Sequence, residues 1–179
     1  MKHESLEIIA PRLLRTPCDE AQALGSAVWL WMHSADHRDA PLNVLPAVLL
    51  PAIKTGQFVL ARQAGKPVFY LSWARFSEDA EARYLSSPPE RMPEADWTSG
   101  NRIWLLDWVA PFGHTRIARH LVARLFSDRC VRSLYHRGDE RGLRVMEFRG
   151  IAVLKDEARA WFFDHPIKHA RPHTGDNHR

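Results

Sequence analysis

The sequence predicts a single mixed α/β domain, and three observations carry that prediction. Ile103-Trp104-Leu105-Leu106-Asp107-Trp108-Val109 is nearly apolar on both faces of a strand, as a central strand covered on each side would be. Gln57 to Arg62 and Pro67 to Phe76 flank the turn Ala64-Gly65-Lys66 and read as a β-hairpin. Thr115 to Phe126 sets Ile117, Leu121, Val122 and Leu125 on one helical face, and Ala21 to Met32 is an apolar helical run. At 179 residues, 45% hydrophobic and 26% charged, the chain suits one buried core and is short for two ordinary domains.

Taken in order, residues 1–17 read as a loose lead-in, residues 18–164 as the domain, and residues 165–179 as a flexible His-rich tail. Asp19 offers a helix N-cap and Glu20 a first-turn acid. Gly25 is a weak point in the helix that follows, or a point of close packing. That helix runs out around His33 to Asp36. Leu42 to Ile53 is helical, with Pro46 and Pro51 kinking or dividing it. After the hairpin, Ser77 caps a short helix to Leu85, and Pro88, Pro89 and Pro93 make a loop. Pro111-Phe112-Gly113 ends the central strand, and Thr115 caps the next helix. Val131 to Tyr135 and Arg144 to Phe148 read as strands, and Lys155 to Phe163 as a last helix.

The net charge is +4 and the pI about 9.4. Arginine and lysine are scattered among acids such as Glu78, Asp79 and Glu81, without the basic stripe of a nucleic-acid module. A moderately basic surface suits an acidic protein partner. Cys18 and Cys130 lack the spacing of a zinc site. The start Met1-Lys2-His3-Glu4-Ser5 has no apolar signal stretch, so a cytoplasmic setting is expected. No apolar run approaches the ~20 residues of a membrane span.

Asp107 is an awkward charge. Strict strand alternation sets it on the face of Ile103, Leu105 and Val109. A carboxylate there needs a cation or strong donors, and both structural and functional readings fit. His37 follows the apolar helix in a loop and titrates near neutrality, so it can take and return a proton. It is one of ten histidines. Ser34, three residues earlier, is a candidate auxiliary nucleophile or a helix-end cap. His33 and His37 stand at i and i+4 without a third ligand, so no metal is expected. Gly113 lies where acyl-CoA enzymes grip phosphate at a helix N-terminus, but it is one glycine and not a glycine-rich cradle.

Five segments in fixed order carry a resemblance. They are Trp29-Leu30-Trp31 with Ser34 and His37-Arg38; Leu50-Pro51-Ala52-Ile53; Ser72-Trp73-Ala74; Asp96-Trp97-Thr98-Ser99-Gly100; and Asp107-Trp108-Val109-Ala110-Pro111-Phe112-Gly113. From about Leu24 to Gly150 the chain resembles the toxin-activating lysine acyltransferases made beside RTX toxins. The resemblance implies a fold similar to GCN5-type N-acetyltransferases, a twisted mixed sheet with helices on both faces. It implies a fatty acyl group on acyl carrier protein as co-substrate, no tightly bound cofactor, and an internal lysine of an RTX protoxin as acceptor. A homodimer is compatible with it. It maps the family's catalytic pair onto His37 and Asp107.

On that reading His37 is the general base and Asp107 orients its ring. The surface of Trp31, Trp73 and Trp108 lines an apolar slot for the acyl chain, with Gly113 near the donor. Ala35-Asp36, the stretch Pro88 to Pro93 and the His-rich tail depart from the family's usual pattern. The alternatives are an acetyl-CoA-dependent N-acetyltransferase and a noncatalytic toxin-binding chaperone.

Overall fold

The computed structural model describes residues 6–137 and 140–167. Its strands are β1 (Glu7–Ile9), β2 (Phe58–Gln63), β3 (Lys66–Phe76), β4 (Arg102–Val109), β5 (Cys130–Arg137) and β6 (Glu140–Arg149). They form one mixed sheet in that order. Only β4 and β5 run parallel. The helices are α1 (Pro11–Leu14), α2 (Glu20–Met32), α3 (Leu45–Val48), α4 (Leu50–Lys54), α5 (Glu78–Ser86), α6 (Thr115–Leu125) and α7 (Lys155–Asp164). The molecule is thus a mixed α/β fold compatible with the acetyltransferase-like sheet that the resemblance implied.

Helices cover both faces of the sheet. On one face Ala118 and Val122 of α6 join Phe126 against Phe69, Leu71, Trp73 and Ile103. On the other, Ala27, Leu30 and Trp31 of α2, with Ile53 of α4, meet Phe58, Leu60, Tyr70 and Val109. Further along that face, α5 and the 3-10 segment Glu94–Thr98 seat Tyr84 and Trp97 against Ala74, Phe76 and Trp104.

Local signals explain most element ends. The Asp19 side chain accepts from the Gln22 N–H at 2.8 Å and starts α2. Pro46 and Pro51 each fall in the first turn of a short helix, which divides the 42–54 stretch into a 3-10 turn, α3 and α4. Ser77 caps α5. The N-cap of α6 is His114 rather than the expected Thr115, and it makes no side-chain cap bond.

From Glu7 onward the lead-in holds a strand and a short helix where its sequence predicts a loose segment. Ile8 pairs with Ala61 and Ile9 with Leu60, and the Ala10 N–H donates to Thr16 Oγ1 at 2.8 Å. The apolar stretch around Ala10 is too short for periodicity to declare it, yet Ala10 is wholly buried. At the other end, the His165 carbonyl accepts from Arg132 and the Pro166 carbonyl from Arg102, so the expected tail begins tied to the domain. His169, His173 and His178 lie outside the described residues.

Two features of β4 position the site. Its parallel pairing with β5 joins Ile103–Leu105 to Val131–Ser133. From Leu106 onward, β4 has no β5 partner among the described residues, so one edge opens. Against β3, Leu105 pairs with Trp73 but Asp107 pairs with Ser72. Leu106 is the extra residue of a β-bulge, and a bulge re-aims the side chains beyond it.

Candidate active site

Strict alternation would put Asp107 with Ile103 and Leu105. The bulge overturns this. Ile103 and Leu105 pack on the α6 face, whereas Asp107 faces α2, as Val109 does. Its carboxylate is 13% exposed. Oδ2 accepts the indole N–H of Trp31 at 2.8 Å, and Oδ1 lies 2.8 Å from His37 Nε2.

The end of α2 presents His37. The helix stops at Met32, and a run of turns follows in which the Ser34 carbonyl accepts from the backbone N–H groups of both His37 and Arg38. The ring packs on Trp31 with centroids 4.9 Å apart. Its Nδ1 lies 2.8 Å from Ser34 Oγ. A carboxylate only accepts, so Asp107 selects the tautomer with the proton on Nε2. Nδ1 is then the basic nitrogen and accepts the Ser34 hydroxyl proton. Ser34, His37 and Asp107 form a continuous hydrogen-bonded chain, with Ser34 and His37 half-buried.

Burial is the largest influence on the His37 ring and lowers its pKa. The hydrogen bond and charge of Asp107, with the charge of Asp36, outweigh it, so the pKa stands above the usual 6.5. A raised pKa makes Nδ1 a stronger base. Two buried hydroxyls stand on the same face of β3. Ser72 Oγ and Tyr70 OH have no hydrogen-bond partner among the described residues. Burial, then the charge of Asp107, pushes the Tyr70 phenol well above its usual value, so Tyr70 stays neutral.

The structure brings together His37, Asp107, Ser34 and Trp31. The Trp31 indole holds the carboxylate, a role its apolar area did not announce. Trp73 and Trp108 do not join them. Both pack in the cluster on the α6 face of the sheet, because they alternate with Ser72 and Asp107. Gly113 sits in the turn before α6 with φ +80°, and a Cβ there would meet nothing within 4 Å. The buried hydroxyls Tyr70 and Ser72 escaped sequence reasoning. Strand period alone could have paired them with the Asp107 face only if the bulge had been known.

His33 does not act with His37. Its Nδ1 lies 2.7 Å from the Trp29 carbonyl, and its ring stacks near Trp29 and Phe112. Among the described residues no three of His, Cys, Asp and Glu gather as metal ligands. No described helix is long and apolar enough to cross a membrane.

Comparison with known proteins gives a consistent result. The family model described as "HlyC: RTX toxin acyltransferase family" matches residues 16–149. Protein-lysine palmitoyltransferase CyaC of Bordetella bronchiseptica is 40% identical over 153 residues, 84% of this chain and 82% of its own length. Protein-lysine myristoyltransferase RtxC of Kingella kingae is 36% identical over 132 residues, 74% of this chain and 78% of its own. Leukotoxin-activating lysine-acyltransferase LktC serotype A1 of Mannheimia haemolytica is 35% identical over 141 residues, 78% and 83% of the two chains.

Proposed function

The chain belongs to the RTX toxin acyltransferase family and is an acyltransferase, and from that premise we propose that it moves a fatty acyl group from acyl carrier protein onto internal lysines of an RTX protoxin, with His37 as base. The observation that carries this reading is the chain Ser34 Oγ, His37 Nδ1, His37 Nε2 and Asp107 Oδ1, each link 2.8 Å long. It lies beside the open edge of β4.

A lysine side chain has a pKa near ~10.4 and is an ammonium at neutral pH. His37 Nδ1 takes its first proton, directly or through Ser34 Oγ, and Asp107 stabilises the imidazolium. The amine attacks the thioester carbonyl, the C–N bond forms and the C–S bond breaks. The second proton shed by the nitrogen leaves with the thiolate as the free thiol of the carrier. Backbone N–H groups of β4 beyond Leu105, where the strand has no β5 partner among the described residues, receive the oxyanion. The net charge of +4, with Arg116, Arg119 and Arg124 exposed on α6, suits an acidic carrier.

The Ser34 hydrogen bond also favours a second route, in which Ser34 Oγ takes the acyl group first and lysine then displaces it. Mass spectrometry after mixing with acyl carrier protein donor alone separates the two. An acyl adduct on Ser34 establishes the covalent route, and its absence with transfer intact establishes the direct one. The acceptor is tested by co-expression with an RTX protein followed by peptide mass spectrometry. Acylated internal lysines are expected, and an unmodified RTX protein beside active enzyme would overturn the acceptor assignment.

A further inference from the structure

We propose that the groove between α2 and the β2–β3 hairpin binds the phosphopantetheine arm of the acyl thioester, with Gly25 left bare for it and Arg62 and Lys66 meeting its phosphate. This rests on the thioester-donor reading above. The groove has a volume of about 830 Å³, within the range of small-molecule sites. Its wall on α2 is the stripe Gln22, Gly25, Ser26, Trp29 and His33, successive positions on one helical face.

The groove is graded along its length. Near the catalytic turn it is aromatic, where Trp29, His33 and Phe112 lie with ring centroids 4.2 to 5.4 Å apart. His33 directly precedes Ser34. Further along α2, an Arg62 guanidinium nitrogen reaches Ser26 Oγ at 3.5 Å, and Lys66 also lines the groove. Ser26 and His33 are seven residues apart, roughly 10 Å of helix. Among the described residues, neither Arg62 nor Lys66 makes an ion pair. Glu7 stands opposite Arg62 in the β1–β2 ladder without forming one. Along α2, from the end nearest Ser34, the groove therefore runs from an aromatic wall to small residues and the Arg62 guanidinium. A phosphopantetheine thioester has the matching order of thioester, amide-bearing arm and anionic phosphate.

Gly25 supplies an independent argument. Glycine in mid-helix is unfavourable, and sequence alone allowed close packing as its reason. Close packing is not the reason, because a Cβ at Gly25 would meet nothing within 4 Å. At Gly100, by contrast, a Cβ would fall 2.3 Å from the Phe76 carbonyl oxygen. Among the described residues no neighbour requires Gly25 to be bare, and it lines the groove. A ligand passing close to the helix backbone does require it.

The test uses the full chain and two donors that share the arm, acyl carrier protein and acyl-CoA, beside an acyl-N-acetylcysteamine thioester that has no phosphate. Gly25→Leu should match or exceed the thermal midpoint of the unsubstituted protein while its donor KM rises at least tenfold. The pair Arg62→Glu and Lys66→Glu should raise donor KM by a similar factor with kcat nearly kept, and the rise should shrink for the phosphate-free thioester. Whichever donor responds identifies the source of the arm. Unchanged KM in both variants, with the unsubstituted protein active, would overturn the groove assignment alone. An unsubstituted protein that transfers from none of the thioesters would overturn the donor reading and the groove with it. If Gly25→Leu failed to fold, the charge-reversal pair would still decide.

Discussion

His37 commits both ring nitrogens, Nε2 to Asp107 and Nδ1 to Ser34, so each partner has a separable effect. Asp107→Asn should slow transfer about 10²- to 10⁴-fold by loosening ring orientation and withdrawing charge. It should also move the acidic limb of the pH–rate profile to lower pH, since Asp107 is what lifts the His37 pKa against burial. An unmoved limb would mean that another group titrates. Trp31→Phe removes one donor from the carboxylate and should cost about 1.5–3 kcal/mol of stability in urea unfolding. Folding raises the His37 pKa above 6.5, so protonation stabilises the native state. That contribution is complete below about pH 6.5 and fades as pH rises through the folded value. The stability gap between the unsubstituted protein and His37→Ala should shrink over that interval. Sequence marked His37 and Asp107 as one histidine among ten and one misplaced charge. The family segments joined them, and only the fold shows the Ser34 and Trp31 contacts that complete the chain.

At the scale of elements, residue pattern located nearly every helix and strand but not the irregularity that matters most. The extra residue Leu106 turns Asp107 toward α2 and leaves Trp73 and Trp108 on the α6 face. A bulge depends on which residues of the neighbouring strand lie opposite, and a single strand's alternation does not contain that. The expected tryptophan surface is divided for the same reason, with Trp31 on the α2 face and Trp73 and Trp108 on the other. Elsewhere, the segment Asp96 to Gly100 is explained by packing rather than chemistry. Asp96 pairs with Arg83, Gln57 Nε2 donates to the Trp97 carbonyl, and the Gly100 N–H donates to the Arg75 carbonyl. Gly100→Ala drives a Cβ into the β3 backbone and should cost at least about 1–3 kcal/mol in chemical unfolding. An unchanged midpoint would show that the segment shifts freely.

Across the whole molecule, the sheet divides its labour at Leu105. Below it, β4 is locked to β5 and beneath them lies a buried charge network. Glu81 on α5 holds Arg102 of β4 and Arg132 of β5, and it accepts the Trp104 indole N–H at 2.8 Å. Glu81→Gln leaves two arginines short of a buried counter-charge and should cost about 3–5 kcal/mol in urea unfolding. Above Leu105, β4 and β5 no longer pair with each other among the described residues, and that opening is where acyl transfer is proposed to occur. The overall α/β class was legible because its elements are local, whereas the network and the opening join distant residues. The most direct test of the account is intact-mass spectrometry of an RTX protoxin incubated with acyl carrier protein donor and either the unsubstituted enzyme or folded His37→Ala. The account predicts one acyl increment per modified lysine with the former and none with the latter, and near-normal acylation by His37→Ala would contradict it.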